Sequence, residues 1–418
     1  MVSLARFTLF LIVFVEAMGH GLVLPVLSDF FAGEPVASAL ADVGVSPAGV
    51  LALVIGGYYL LWFFSSAYLA QLSDSLGRRK VLSACLSGAL LGYVVTALGV
   101  YFASLTLVVL GRLIAGATGG ALPVVQASFA DQSTSTADLT GKLGAFTAAL
   151  ALGLMAGPIL SSVLVSPVVM GAWAQPVAPL LIAGLVTTAA LVLVSLAMEE
   201  TNRARHTTPF QVSAVFLSLW RVQRRPTVIK LGMAFFLFAL GMNAFYIYLE
   251  SFQRLRFGFS VAQISLTFVI LGLATAVAAT GLVRLMTPFY QRIPMVQIAC
   301  GVMALFVLAY AANTLPPLSF MFMVPVSVAF GVIYPVILTL LSKSVREQEQ
   351  GWVMGVAMSL FVLGGGVVAL CGPVLMSLDI KSLLFVGVVS LIGSLVVQLT
   401  WWREPDVRAL DPDVRPDL

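Results

Sequence analysis

Three ionisable residues stand inside apolar runs, where charge is expensive: Glu16, His20 and Arg112. A carboxyl in hydrocarbon is costly when charged and cheap when neutral, so Glu16 is suited to carry one proton. The competing reading is a permanently protonated acid that makes a structural hydrogen bond. His20 lies four residues further on, so a helix places both side chains on one face. It either accepts the proton, binds a substrate or packs. Arg112 costs at least ~2.5 kcal/mol in a span unless it is paired or hydrated. It either works in the interior or snorkels to the interface.

Two further constellations bear on movement rather than chemistry. Ala70-Gln-Leu-Ser-Asp-Ser-Leu-Gly-Arg-Arg-Lys80 is a polar connection short enough to force a tight turn. Gly77 supplies permissive dihedrals there, and Asp74 can pair with Arg78 or cap a helix. Gly153-Leu-Met-Ala-Gly157-Pro158 lets helices approach closely and loosens one of them at the proline. In the second half of the chain, Asn243, Tyr246 and Glu250 share a helix face at i, i+3 and i+7. Glu250 also stands four residues before Arg254, where an interfacial salt bridge competes with a cavity role. Gln126 and Tyr334 are the remaining candidates for contact with a substrate.

These residues must be positioned by membrane-spanning elements. Of 418 residues, 60% are hydrophobic and 10% charged, with mean hydropathy +1.05. An ordinary soluble domain carries about 25% charged residues, so that class is excluded. A net charge of +4 with no long polar tract excludes a nucleic-acid binder. Cys85, Cys300 and Cys371 lie in apolar runs with no metal or disulfide spacing.

The apolar runs are far longer than barrel strands, and a helical span needs about 20 residues. Twelve spans are predicted, near 7–30, 48–70, 81–101, 105–130, 143–165, 178–198, 230–252, 262–286, 294–312, 319–341, 351–377 and 382–402. The expected fold class is an all-α polytopic membrane protein with two six-helix bundles. The domains read as 1–198, a linker over 199–229, a second bundle over 230–402 and a tail over 403–418. Segment 210–220 is too short to cross and reads as interfacial. The tail is acidic and Pro-rich and reads as disordered.

Placing the N-terminus inside gives that face eighteen Lys and Arg residues, against Arg254, Arg256 and Lys381 outside. That asymmetry predicts cytoplasmic termini. Ala156-Gly-Pro-Ile-Leu160 recurs as Cys371-Gly-Pro-Val-Leu375 in the equivalent span of the second half, which is the mark of a duplicated transporter.

The 70–80 loop resembles the loop signature of the major facilitator superfamily, with Ala70 for its first Gly and Ser75 for a basic residue. The resemblance implies that Asp74, Gly77 and Arg78 latch the two halves. Gly111-Arg112-Leu-Ile-Ala-Gly116-Ala-Thr-Gly119 is similar to the family's span-four pattern, which implies proton coupling for Arg112. Gly153, Gly157 and Pro158 resemble the motif of its antiporter branches, which implies packing against span eight during switching. Glu16 to Leu27, Asp131 and Glu349-Gln350-Gly351 are similar to the tetracycline-exporter branch. That branch carries an Asp in span three, whereas here the span is apolar around Gly92-Tyr93, so tetracycline itself is not implied.

The resulting expectation is a proton-coupled exporter in a bacterial inner membrane, acting as a monomer on drugs or other small molecules. It would use the proton motive force, with no cofactor, metal or nucleic acid. Export of an endogenous metabolite such as a siderophore, and proton-coupled import, stay open.

Overall fold

The computed structural model describes residues 4–202, apart from 43, 45, 172 and 173, and residues 220–411. Twelve helices are long and apolar enough to cross a membrane. They are α1 (Leu4–Phe31), α2 (Gly49–Leu76), α3 (Arg78–Tyr101), α4 (Leu105–Asp131), α5 (Thr136–Leu164), α6 (Ala178–Ala197), α7 (Pro226–Tyr246), α8 (Ala262–Met286), α9 (Arg292–Ala312), α10 (Pro316–Lys343), α11 (Glu347–Leu378) and α12 (Ser382–Arg403). No strand occurs among the described residues.

The helices form two six-helix bundles with repeated neighbours. In the first, α1 packs on α5 and α6, and α3 on α4 and α6. In the second, α7 packs on α11 and α12, and α9 on α10 and α12. The bundles meet along α2 against α11 and α5 against α8 and α10. In lipid, hydrophobicity does not choose between helix neighbours, so close van der Waals contact must do so. Small residues supply it: a Cβ at Gly355 of α11 would lie 2.8 Å from Ser66 O of α2.

The five-residue echo is packed by different contacts in the two bundles. Gly157 of α5 lies against Gly21 of α1, and Gly372 of α11 lies against the Tyr248 ring just beyond α7.

Two helices depart from continuous spans. Helix α4 breaks at Thr118–Gly120, where Gly119 and Gly120 admit Trp62 and Leu69 of α2. Helix α8 contains a π-helical turn over Ala278–Leu282, at its contact with Gly144 of α5. The chain after α7 was expected to continue straight to 252. It turns at 247–248 and enters a separate short helix, Leu249–Phe257.

The expected disorder after α12 is corrected for residues 403–411. Trp402 and Val407 are fully buried, and Trp402 Nε1 donates to Lys230 O at 3.1 Å. Lys230 pairs with Glu404 and Asp406 at 2.7 and 2.8 Å. Asp411 Oδ2 accepts from the Ile293 N–H at 2.9 Å, at the start of α9. Acidic residues of a segment that reads as disordered thus find the N-terminus of α9 and a lysine. Residues 412–418 lie outside the described residues, as does the interfacial reading of 210–220 apart from Trp220, which is exposed.

Candidate functional site

Helix α1 presents Glu16, His20, Leu24 and Leu27 on one face, as the four-residue spacing requires. Opposite, α2 presents Tyr58, Tyr59 and Trp62. His20 ring centroids lie 5.8, 5.9 and 5.7 Å from those three rings. The Tyr59 hydroxyl and His20 Nε2 are 3.2 Å apart, with the donor set by the imidazole tautomer. Arg112 enters from α4, and its Cζ sits 4.4 Å from the Tyr58 ring centroid, a cation–π contact. His20, Tyr58, Tyr59 and Arg112 line a cleft walled by Val23, Leu24, Leu27, Val54 and Ile55.

Arg112 is 5% exposed. It points into the bundle, so the snorkelling reading falls. Its Nη1 has no acceptor among the described residues. Glu16 is partly accessible and makes no hydrogen bond or ion pair among them. The structure thus brings His20 and Arg112 around one aromatic cluster, with Glu16 one helical turn before His20. Sequence reasoning missed Tyr58, Tyr59, Trp62 and Tyr93. The available signal was Tyr58-Tyr59-x-x-Trp62, a run of polar-tipped aromatics in a span with no charge before Asp74.

The second bundle contributes less than expected. Asn243 is buried, donating Nδ2 to Ala239 O at 2.8 Å and Phe361 O at 3.3 Å. Its Oδ1 and the Tyr59 ring both flank Gly365 of α11, so this pair meets across the bundle seam. Tyr246 packs edge-on against Phe268, with centroids 5.8 Å apart. Glu250 does not belong to the site. The turn after Tyr246 breaks the i+7 phase, and Glu250 is half-exposed, pairing with Arg254 at 2.8 Å. Gln126 and Tyr334 do not line the cleft. Both are fully buried, and Gln126 Nε2 donates to the Tyr334 hydroxyl at 3.3 Å, joining α4 to α10.

The 70–80 loop joins the bundles at the face that bears both termini. Gly77 has φ 100°, a value side-chain-bearing residues rarely adopt. That turn lets Arg78 pair with Asp74 at 2.7 Å and Asp131 at 2.8 Å. Asp74 Oδ1 and Oδ2 accept from the Gly351 and Trp352 N–H groups at 3.1 Å each. Asp74 therefore caps α11 of the other bundle. Sequence reasoning missed the supports from the linker. Glu200 accepts from the Arg78 N–H at 2.8 Å, and Asn202 Nδ2 donates to Asp74 O at 2.8 Å. On the second-bundle side, Glu349 at the start of α11 pairs with Arg221 and Arg225 before α7.

The Major Facilitator Superfamily family model matches residues 9–369. The chain belongs to that superfamily.

As a superfamily member it is a membrane transporter rather than an enzyme, and its relatives are named as transporters or resistance proteins. It is 31% identical over 220 residues to the class B tetracycline resistance protein of Escherichia coli, covering 50% of this chain and 49% of that one. The chain thus spans about half the length of that relative. It is 29% identical over 344 residues to the class C protein of Escherichia coli, covering 81% of each. Among solved structures, the human organic anion transporter MFSD10 (TETRAN) superposes with TM-score 0.79 at 21% identity, covering 94% of this chain and 99% of that one. That likeness shows the fold.

Within this superfamily member the two glycines and the proline of the α5 motif face a different neighbour from the one expected, while Met155 between them meets Gly272 of α8. A Cβ at Gly153 would lie 2.7 Å from the Ala17 Cβ, and one at Gly157 would lie 2.6 Å from Met18 O. Pro158 likewise sits against Gly21. Gly153, Gly157 and Pro158 therefore pack on α1 of the same bundle. The contact of α5 with α8 uses Gly144, Ala151 and Met155 instead. Residues four apart share a face, and the α8-facing stripe is offset from the one holding both glycines.

Proposed function

We propose that this transporter is a proton-coupled exporter of small organic molecules, working by alternating access in a bacterial inner membrane with both termini cytoplasmic. Protonation of Glu16 from outside triggers release, and deprotonation inside resets the carrier. His20 and Arg112 share the cleft and set its potential. The proton motive force drives the cycle without a cofactor, and a single chain suffices. The latch formed by Asp74, Gly77 and Arg78 holds the termini-bearing face closed while the opposite face loads protons.

The carrying observation is the Glu16 carboxyl. It lies within a membrane span, one helical turn before the cleft residue His20, and has no partner among the described residues to hold it permanently in one state. The tetracycline resistance relatives support a drug as substrate. Tetracycline itself is not assigned, because α3 carries the neutral Gly92-Tyr93 where that branch has an Asp.

Everted membrane vesicles test the reading. An inside-acidic gradient should drive accumulation of a lipophilic dye, and Glu16→Gln should abolish gradient-driven accumulation while the protein still inserts. Accumulation retained in Glu16→Gln overturns the assignment of the proton to that residue.

A further inference from the structure

Three arginines are buried among the described residues: Arg78, Arg112 and Arg292. Arg78 is paired with two carboxylates. Arg292 lies 3.5 Å from Asp411 and donates Nε to Thr140 Oγ1 at 3.3 Å. Arg112 has no ion pair among the described residues, and its Nη1 has no acceptor. A buried charge without a counter-charge is strongly unfavourable. The Tyr58 ring offsets only ~0.5–2 kcal/mol of that. One guanidinium nitrogen of a side chain that lines the cleft is thus left without an acceptor among the described residues.

The remaining walls say what would carry the acceptor. Tyr58, Tyr59 and His20 offer ring faces and edges, and Val23, Leu24, Leu27, Val54 and Ile55 are apolar. We propose that this cleft is a subsite for the carboxylate of an aromatic organic acid, with Arg112 Nη1 as its donor and the α2 rings against its flat body. In the present arrangement the cleft measures about 10 Å³, room for about one water at most, so the carboxylate too enters only when the cleft widens. The body of the acid is admitted as the bundles part.

For transport, this assignment rests on the exporter reading; for binding, it does not. Exchange of one proton for one monoanion would carry two positive charges inward per turnover. An inside-negative voltage would then drive export together with the pH difference.

The test is equilibrium binding to the full chain in lipid nanodiscs, without any gradient. Two xanthene dyes of opposite charge, carboxyfluorescein and rhodamine 6G, are titrated by fluorescence polarisation. Carboxyfluorescein should bind saturably. Arg112→Gln should weaken it at least tenfold and leave rhodamine 6G unchanged or tighter. Arg112→Lys should restore part of the affinity, because the charge survives but the planar fork is lost. Competition on the unaltered protein gives a readout that needs no variant to fold: benzoate should displace carboxyfluorescein and benzylamine should not.

Unsaturable carboxyfluorescein binding, equal affinity in Arg112→Gln, equal loss of both dyes, or displacement by benzylamine rather than benzoate would each overturn the subsite. Failure of the Glu16→Gln flux test would leave these binding results intact, so the two readings fail separately.

Discussion

Asp74→Asn tests whether the loop between α2 and α3 is a latch. The Asp74–Arg78 pair lies within one bundle and persists when the bundles separate, so it cannot bias the movement. The bonds from Gly351 and Trp352 cross the seam and exist only while this face is closed. An amide at position 74 keeps one acceptor oxygen and loses the charge facing the N-terminus of α11. A hydrogen bond to a charged group contributes ~1.5–3 kcal/mol, and a carboxylate at a helix N-terminus ~0.3–2 kcal/mol. Allowing for overlap between the two, the closed state should lose about 2–3 kcal/mol, which raises the open-to-closed ratio roughly 30- to 150-fold.

Ser359 is a suitable reporter, being fully buried and donating Oγ to Phe63 O across the same seam at 2.6 Å. Ser359→Cys would be introduced with Cys371→Ser, since Cys371 is the exposed cysteine among the three. The N-ethylmaleimide labelling rate in nanodiscs is then compared with and without Asp74→Asn. The reporter's own effect is common to both arms. A rise of at least tenfold is expected, and a ratio within twofold would refute the latch reasoning.

Four other substitutions follow from the contacts. Gly157→Val places side-chain atoms against the Met18 carbonyl and Gly21 backbone, and overpacking of this kind costs ~1–3 kcal/mol. It should lower the thermal midpoint in detergent, whereas Gly141→Ala, with nothing within 4 Å, should not. Tyr334→Phe removes the cross-bundle bond to Gln126, a net ~0.5–1.5 kcal/mol. Termini-face labelling should rise by no more than about tenfold. Asp411→Asn removes the counter-charge of Arg292 and should speed proteolysis of the segment after α12. That segment should also respond to acid. Hydrogen bonds from Lys230, then Thr227, hold the Asp406 carboxyl below the usual Asp range. A lowered folded value means its contribution is fully present above the unfolded value of about 3.9 and is lost as pH falls through the folded one. Protease sensitivity of the segment should therefore be flat from neutral pH down to the unfolded value and rise below it.

The sequence by itself determined the elements and their order. Twelve spans, their approximate limits and the division into two bundles follow from apolar length, because lipid forces every backbone group into a helix. The grouping of Glu16 with His20 follows from the four-residue period. The Asp74–Gly77–Arg78 turn is equally local, since a five-residue stretch contains its ion pair. Only the tertiary structure decided which faces meet. Lipid and protein are alike to an apolar side chain, so the pattern could not say that Gly153 and Gly157 face α1 rather than α8, or that the α2 aromatics complete the cleft. Glu250 left the site because a turn at 247–248 broke a phase that the pattern had extended. The acidic segment after α12 folded back because Lys230 and the start of α9 wait for it, and that partnership spans more than a hundred residues of chain.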